Sequence, residues 1–110
     1  EEVKKIFSGE TTLILGGEEQ YRDEYGRIVD ELGGNCEWYQ SLAEMSESEI
    51  AEVVDRSDLI LTLSDAITDP GILQATNYAQ ENNKRCFAHH SANPASVSKQ
   101  LVKLVDEGKV

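Results

Sequence analysis

The stretch that decides the fold is Ser57-Asp58-Leu59-Ile60-Leu61-Thr62-Leu63-Ser64-Asp65, an apolar run enclosed by polar residues. A short apolar run with turn-forming residues on both sides predicts a β-strand over Leu59–Leu63 that is buried on both faces. Ser64 and Asp65 then lie just beyond the carboxyl end of a central strand. Open α/β sheets bind their ligands at that edge, so any site is expected there.

Three more strands and four helices are predicted around this strand. The strands cover residues 11–15, 35–40 and 85–89, and the helices cover 18–32, about 46–56, 69–82 and about 93–107. Four strand–helix alternations with crossover-length connections predict a parallel sheet with helices on both faces. The fold class is therefore α/β, a three-layer Rossmann-like or flavodoxin-like domain with a four-stranded parallel sheet. The predicted order is 2-1-3-4, since the second strand alternates as an edge strand does.

Three of the helix starts have recognisable caps. Ser46 with Glu49 predicts a capping box, in which each side chain bonds the backbone N–H of the other residue. Asp69-Pro70 and Asn93-Pro94 each place a capping side chain before a proline at the first helical position. These signals predict helices directly after the second, third and fourth strands.

Composition limits the classes of protein and partner. The 110 residues are assigned to one α/β domain over 11–110, with 1–10 as an N-terminal extension or linker. The net charge is −11, and all of it falls in residues 1–55. Nucleic acid and anionic membranes are therefore expected to be poor partners. Cys36 and Cys86 have no metal-binding spacing and are interpreted as buried free thiols, which suits a cytoplasmic location.

Gly16-Gly17 follow the first strand and are a candidate ligand-binding turn. Glycines at this position let a ligand approach backbone amides at a helix N-terminus. However, the sequence matches no dinucleotide or phosphate fingerprint, and Glu18 and Glu19 stand where a phosphate would bind. A tight structural turn is the favoured interpretation.

Polar residues after the other strands complete the candidate ligand-binding set. Asp65, with Ser64 and Thr68, is suited to bind a hydroxyl, an amine or a hydrated magnesium ion. Asp69 is interpreted chiefly as a helix cap. The set of candidate ligand-binding residues is Gly16, Gly17, Tyr39, Ser64, Asp65, Thr68, Asp69, His89 and Ser91.

His89-His90 follow the fourth strand and are the candidate metal ligands. A histidine at a strand end is more often a hydrogen-bonded structural residue, with metal or haem ligation and general-base chemistry as the alternatives. A serine–histidine–aspartate triad can be assembled from Ser64 or Ser91, either histidine and Asp65. The chain has no GxSxG nucleophile elbow, so hydrolysis ranks last.

The order of these segments resembles the domain of unknown function 2325 family, a family of small, mostly prokaryotic domains. The resemblance spans about residues 11–105 and is carried by Leu15-Gly16-Gly17, Tyr21, Leu32-Gly33-Gly34, Asp58-Leu59-Ile60, Asp65 and Ser91. The resemblance implies haem as a candidate cofactor and a homodimer, because some members of the family are haem-binding dimers. Several family positions differ here: Tyr39-Gln40-Ser41 replaces a histidine-aspartate-glycine end, Thr68-Asp69 replaces a serine-histidine pair, and Thr62 and Ala66 replace cysteines.

These observations favour a non-enzymatic, small-ligand-binding or regulatory domain with its ligand at the carboxyl edge of the sheet. One alternative is a dimeric haem- or metal-binding protein, with His89, His90 or Tyr39 as the ligand. Another is a structural assembly domain of a longer chain. The catalytic set is left empty.

Overall fold

The computed structural model describes residues 10–63 and 68–106, with side chains described to residue 104. Its strands and helices alternate along the chain. The strands are β1 (Thr11–Leu15), β2 (Asn35–Tyr39), β3 (Leu59–Leu63) and β4 (Arg85–His89). The helices are α1 (Arg22–Glu31), α2 (Glu47–Asp55), α3 (Pro70–Glu81) and α4 (Pro94–Asp106), with a 3-10 turn at Glu19–Tyr21 before α1. The predicted extension at residues 1–10 falls, except for Glu10, outside the described residues.

All four strands are parallel and stand in the order β2-β1-β3-β4. The fold is therefore a Rossmann-like α/β sheet, and the predicted strand order is confirmed. In the central pair Leu13 stands opposite Ile60, and Ile60 in turn stands opposite Cys86 on β4. β2 lies at one edge of the sheet, as its alternating pattern predicted.

The core has two layers, one on each face of the sheet. Alternate strand residues supply them, because neighbouring side chains of a strand point to opposite faces. One layer, with α2 and α3, contains Leu13, Leu15, Leu42, Ile50, Val53, Val54, Ile60, Ile72, Ala75 and Ala79. The other layer, with α1 and α4, contains Ile14, Tyr25, Ile28, Val29, Leu59, Leu61, Leu63, Val97 and Leu101. β3 contributes to both layers, which accounts for its lack of charge.

The predicted helix caps are present. The Ser46 hydroxyl accepts from the Glu49 N–H at 3.2 Å, and the Glu49 carboxylate accepts from the Ser46 N–H at 2.9 Å. The Asp69 carboxylate accepts from the Ile72 N–H at 3.0 Å, which caps α3. Each cap satisfies N–H groups that the first turn of a helix leaves without partners.

Asp58, at the amino edge of the sheet, has a structural partner. The Asp58 carboxylate accepts from the Thr11 N–H at 2.9 Å, while the Asp58 N–H donates to the Thr11 carbonyl at 2.8 Å. This pair extends the β1–β3 ladder by one residue. These two hydrogen bonds explain why an aspartate directly precedes an apolar strand, and the explanation requires no ligand-binding role for Asp58.

The two cysteines lie on opposite faces of the sheet. Cys36 packs against the α1/α4 layer, and Cys86 packs against the α2/α3 layer. Both are free, as predicted, but each is only partly buried, whereas the sequence predicted buried thiols. Burial, and then the neighbouring Glu37 carboxylate, raise the pKa of the Cys36 thiol to about 11. Their placement on different faces prevents a disulfide between them.

No helix in the described part of the chain is long and apolar enough to cross a membrane.

Candidate functional site

The four strands end at one edge of the sheet, because all of them run in the same direction. Leu15 is paired with Tyr39 and with Thr62, and Leu63 is paired with His89. The loops that follow β1, β2 and β4 therefore begin along one carboxyl edge. Of the loop after β3, residues 64–67 lie outside the described residues, so the positions of Ser64 and Asp65 are not described. Thr68, in the same loop, is exposed.

The Gly16-Gly17 turn is packed closely against side chains. Both glycines have positive φ, 96° and 82°, a conformation that other residues rarely adopt. A Cβ added to Gly17 would lie 2.5 Å from the Tyr25 hydroxyl oxygen and 3.3 Å from a Leu63 methyl carbon. The Gly16 carbonyl accepts a 2.8 Å bond from the Trp38 indole N–H. These contacts account for both glycines as parts of a structural turn.

Tyr25 connects this turn to the loop after β4. It is fully buried, and its hydroxyl donates to the Ala92 carbonyl at 2.5 Å. Burial is the main reason that its pKa is raised to about 12, so the hydroxyl stays protonated and can remain a donor. Nothing in the local sequence shows that the Tyr25 hydroxyl reaches a residue 67 positions later.

His89 and His90 lie together at the end of β4. His89 is 9% exposed, and its Nε2 lies 2.8 Å from the Ser96 hydroxyl oxygen. The two imidazole rings are 4.7 Å apart between centroids, and His90 is exposed. Burial, and then the neighbouring His90, lower the pKa of His89. His89 is therefore held neutral near pH 7, beside an imidazole that solvent can reach.

Ser91 and Asn93 shape the loop between this pair and α4. The Ser91 hydroxyl accepts from the Asn93 N–H at 3.1 Å, and the Asn93 side-chain oxygen accepts from the Ala95 N–H at 2.9 Å. Ser96, in the first turn of α4, was missed as a site residue. The only local signal was its position three residues after the cap, which places it next to the carboxyl edge.

Two of the predicted ligand-binding residues are engaged in structural contacts on the α2/α3 side. The Tyr39 hydroxyl donates to the Glu37 carboxylate at 3.3 Å and accepts from the Arg56 guanidinium at 3.2 Å. The Asp69 carboxylate accepts from the Ser41 hydroxyl as well as from the α3 backbone. Burial acts to raise the pKa of Asp69, but these donors outweigh it and the pKa is lowered. The structure thus brings Gly17, His89 and Ser91 to one side of the edge and leaves Tyr39 and Asp69 on the other.

The chemistry available around His89 is that of hydrogen bonding. Ser96 and His89 form a hydroxyl–imidazole pair, but within the described hydrogen bonds no carboxylate holds the imidazole as a catalytic triad requires. No group of three or more histidine, cysteine, aspartate or glutamate side chains within residues 10–63 and 68–104 could hold a metal ion. The arrangement places one exposed imidazole, that of His90, beside the nearly buried His89 and the loop that contains Ser91.

Comparisons with known proteins agree with this fold. No curated protein matches the chain. The anabolic ornithine carbamoyltransferase from Campylobacter jejuni subsp. jejuni NCTC 11168 is similar in structure, with a TM-score of 0.53 and 13% sequence identity. The match covers 96% of this chain but only 37% of that enzyme, and it shows the fold alone. The family model described as "Uncharacterized protein conserved in bacteria (DUF2325)" matches residues 11–104. The chain therefore belongs to the domain of unknown function 2325 family.

Proposed function

We propose that the chain is a small-ligand-binding or regulatory domain rather than an enzyme, with its ligand at the carboxyl edge beside β4. The observation that carries the proposal is the His89–His90 pair. A nearly buried, neutral imidazole is oriented by Ser96 and stands next to an exposed one, 4.7 Å away. Ligands of open α/β sheets bind at this edge, which supports the same location.

The contacts around the pair support a preformed site. Tyr25 fixes the Ala92 carbonyl, and Asn93 caps α4, so both ends of the loop after β4 are anchored. A loop that is already ordered loses little conformational entropy when a ligand binds. The sequence adds Asp65 to the proposed site as a charged acceptor, although this residue lies outside the described part of the chain.

The test combines three measurements on freshly purified protein. Native mass spectrometry reads bound mass and subunit count, an absorbance spectrum reads haem, and thermal unfolding is followed with Mg²⁺, Zn²⁺, haemin, ATP and free amino acids as probes. A ligand at 100 times its dissociation constant stabilises a protein by about 2.7 kcal/mol, which thermal unfolding resolves easily. Co-purified mass or a shift with one probe is the expected result.

Variants locate the site. His90→Ala and Asp65→Ala are expected to abolish the ligand-induced shift. His90 is exposed, so its removal should not impair folding. Lys103→Ala is the matched control, because this exposed side chain lies in the last turns of α4, away from the carboxyl edge. Normal binding by both test variants would place the site elsewhere.

Two other outcomes identify the alternatives. A Soret band that His90→Ala removes would show that the exposed imidazole binds haem. Haem binding is the second candidate function, and the exposure of His90 favours it. A stable oligomer in native mass spectrometry with no shift from any probe would instead support a structural assembly domain. We propose a homodimer as the state that binds the ligand, and the subunit count tests this directly.

A further inference from the structure

A second surface feature lies on the other face of the sheet, between α2 and α3. It is an open groove of about 800 Å³, called the α2/α3 groove below. The lining residues that matter here are Glu47, Ala51, Pro70, Leu73, Tyr78 and Glu81. The groove is separate from the His89–His90 pair, because His89 contacts α4 on the opposite face.

The floor of the groove exposes apolar surface. Leu73 is 44% exposed, and among the described residues only Val102 is another large hydrophobic side chain with comparable exposure. Pro70 is also exposed, and Ala51 is partly so. Exposed apolar surface that is rimmed by polar residues marks binding surfaces more often than isolated hydrophobic residues do.

The helices that form the groove are strongly acidic. They carry five acidic side chains and no basic one: Glu47, Glu49, Glu52 and Asp55 on α2, and Glu81 on α3. Both helices run from the carboxyl edge to the amino edge, since each follows a parallel strand. Glu47 therefore stands at one end of the groove and Glu81 at the other, with Leu73 between them.

Arg56 and Lys84, the cations that follow α2 and α3 in the chain, are engaged elsewhere. The Arg56 guanidinium bonds the Glu37 carboxylate at 2.6 and 2.8 Å. The Lys84 ammonium donates to the carbonyl oxygens of Asp55 and Ser57 at 2.9 and 2.8 Å. No ion pair within residues 10–63 and 68–104 involves Glu47 or Glu81, so in this part of the chain both carboxylates keep their negative charge.

We infer that the α2/α3 groove docks a basic, amphipathic segment of a partner protein. An apolar side chain of the segment packs on Leu73, and lysine or arginine side chains at either end pair with Glu47 and Glu81. Complementary charge of this kind sets the orientation of the segment and accelerates association. An amphipathic helix in an apolar groove is a common mode of peptide recognition. The proposal does not depend on a ligand at the carboxyl edge.

The probe is a fluorescein-labelled helical peptide of 14 residues with lysines in both terminal turns and leucines along one face of its middle. The length suits α3, whose 12 residues span about 18 Å. Fluorescence anisotropy measures binding in 50 mM and 500 mM NaCl, and NMR chemical shifts locate it. Binding that perturbs residues of α2 and α3 and weakens at high salt is expected. A peptide with glutamates in place of the lysines should not bind.

Matched variants separate the groove from the general charge of the protein. Leu73→Ser and the double variant Glu47→Gln/Glu81→Gln should each weaken binding about tenfold, as interface anchors do. The controls are Val102→Ser, which removes the other exposed apolar side chain, and Glu24→Gln/Glu31→Gln, which removes two charges from α1. Both controls should bind within about twofold of the unchanged protein, because they lie on the α1/α4 face.

Three results would overturn the inference. They are absence of peptide binding, equal loss of binding in the control variants, and shifts mapped to α1 or α4 rather than to the groove. Sedimentation of the chain alone tests whether a second copy of the chain occupies the groove. Self-association that Leu73→Ser abolishes would make the groove an interface between copies of this chain and would refute a separate partner.

Discussion

A methyl group added at Gly71 is expected to destabilise the fold, although alanine is the better helix former. Gly71 lies in the first turn of α3 and is buried. A Cβ there would overlap the backbone carbonyl of Leu42 and would lie 2.8 Å from the backbone nitrogen of Ala43. Both obstacles are main-chain atoms, so no side-chain rotation can make room.

The magnitude follows from one stabilising effect and two destabilising ones. Replacement of glycine by alanine inside a helix is worth about 1 kcal/mol in propensity. Overpacking of this kind typically costs about 1–3 kcal/mol. The loop must also withdraw from Asp69, whose carboxylate accepts from the Ser41 hydroxyl and from the Leu42 N–H. Hydrogen bonds to a charged group are worth about 1.5–3 kcal/mol. We therefore expect Gly71→Ala to lower the free energy of unfolding by about 2–4 kcal/mol.

Gly26→Ala is the matched control. Gly26 lies inside α1, and a Cβ built there meets nothing within 4 Å. The same substitution should stabilise the protein by about 0.5–1 kcal/mol, because only helix propensity changes. Urea unfolding followed by circular dichroism measures the free energy of unfolding of both variants. In thermal unfolding, the Gly71 variant should melt about 10–20 °C lower than the unchanged protein. A Gly71→Ala variant within about 0.5 kcal/mol of the unchanged protein would refute the close contact between α3 and the loop after β2.

Three more outcomes are expected. Tyr25→Phe should lower the free energy of unfolding by about 1–2 kcal/mol in urea titrations, because it leaves the partly buried carbonyl of Ala92 without its donor. An unchanged midpoint would contradict the connection between Tyr25 and the loop after β4. Burial lowers the pKa of His89 in the folded protein, so the unfolded chain takes up this proton first and stability should fall as pH drops below about 6.5. Urea midpoints between pH 7.5 and 5.5 measure this fall, which should be smallest in His89→Asn and intermediate in His90→Ala, because His90 also lowers the pKa of His89. The native protein should react slowly with a thiol reagent at pH 8 and rapidly in urea, because burial raises the pKa of both Cys36 and Cys86; fast labelling of the native protein would contradict their burial.

Local sequence patterns were sufficient to predict the strands and helices and their arrangement. The apolar run Leu59–Leu63, the capping pair Ser46 and Glu49, and the Asp69-Pro70 start depend on residues within one turn or one strand of each other. Periodicity therefore predicted the strands and the alternation of strand and helix, and alternation in turn predicted a parallel sheet with one carboxyl edge.

The candidate site could be predicted only as a location. Parallel strands bring His89 and Gly17 to the same edge, and this followed from the strand order. The strand order did not show which side chains at this edge remain available to a ligand, because their hydrogen-bond partners come from distant parts of the chain. The Tyr39 hydroxyl is hydrogen-bonded to Glu37 and Arg56, and the Asp69 carboxylate is hydrogen-bonded to Ser41.

The sequence by itself thus determined the α/β class and the strand order, because these depend on short-range patterns of burial and capping, while short motifs carried the resemblance to the family. Only the tertiary structure decided that Tyr25 anchors the loop after β4, that Ser96 orients His89, and that α2 and α3 form an acidic groove. The physical reason is that these features depend on contacts across the sheet and between helices. Such contacts join residues far apart in the chain, and their geometry exists only once both core layers are packed.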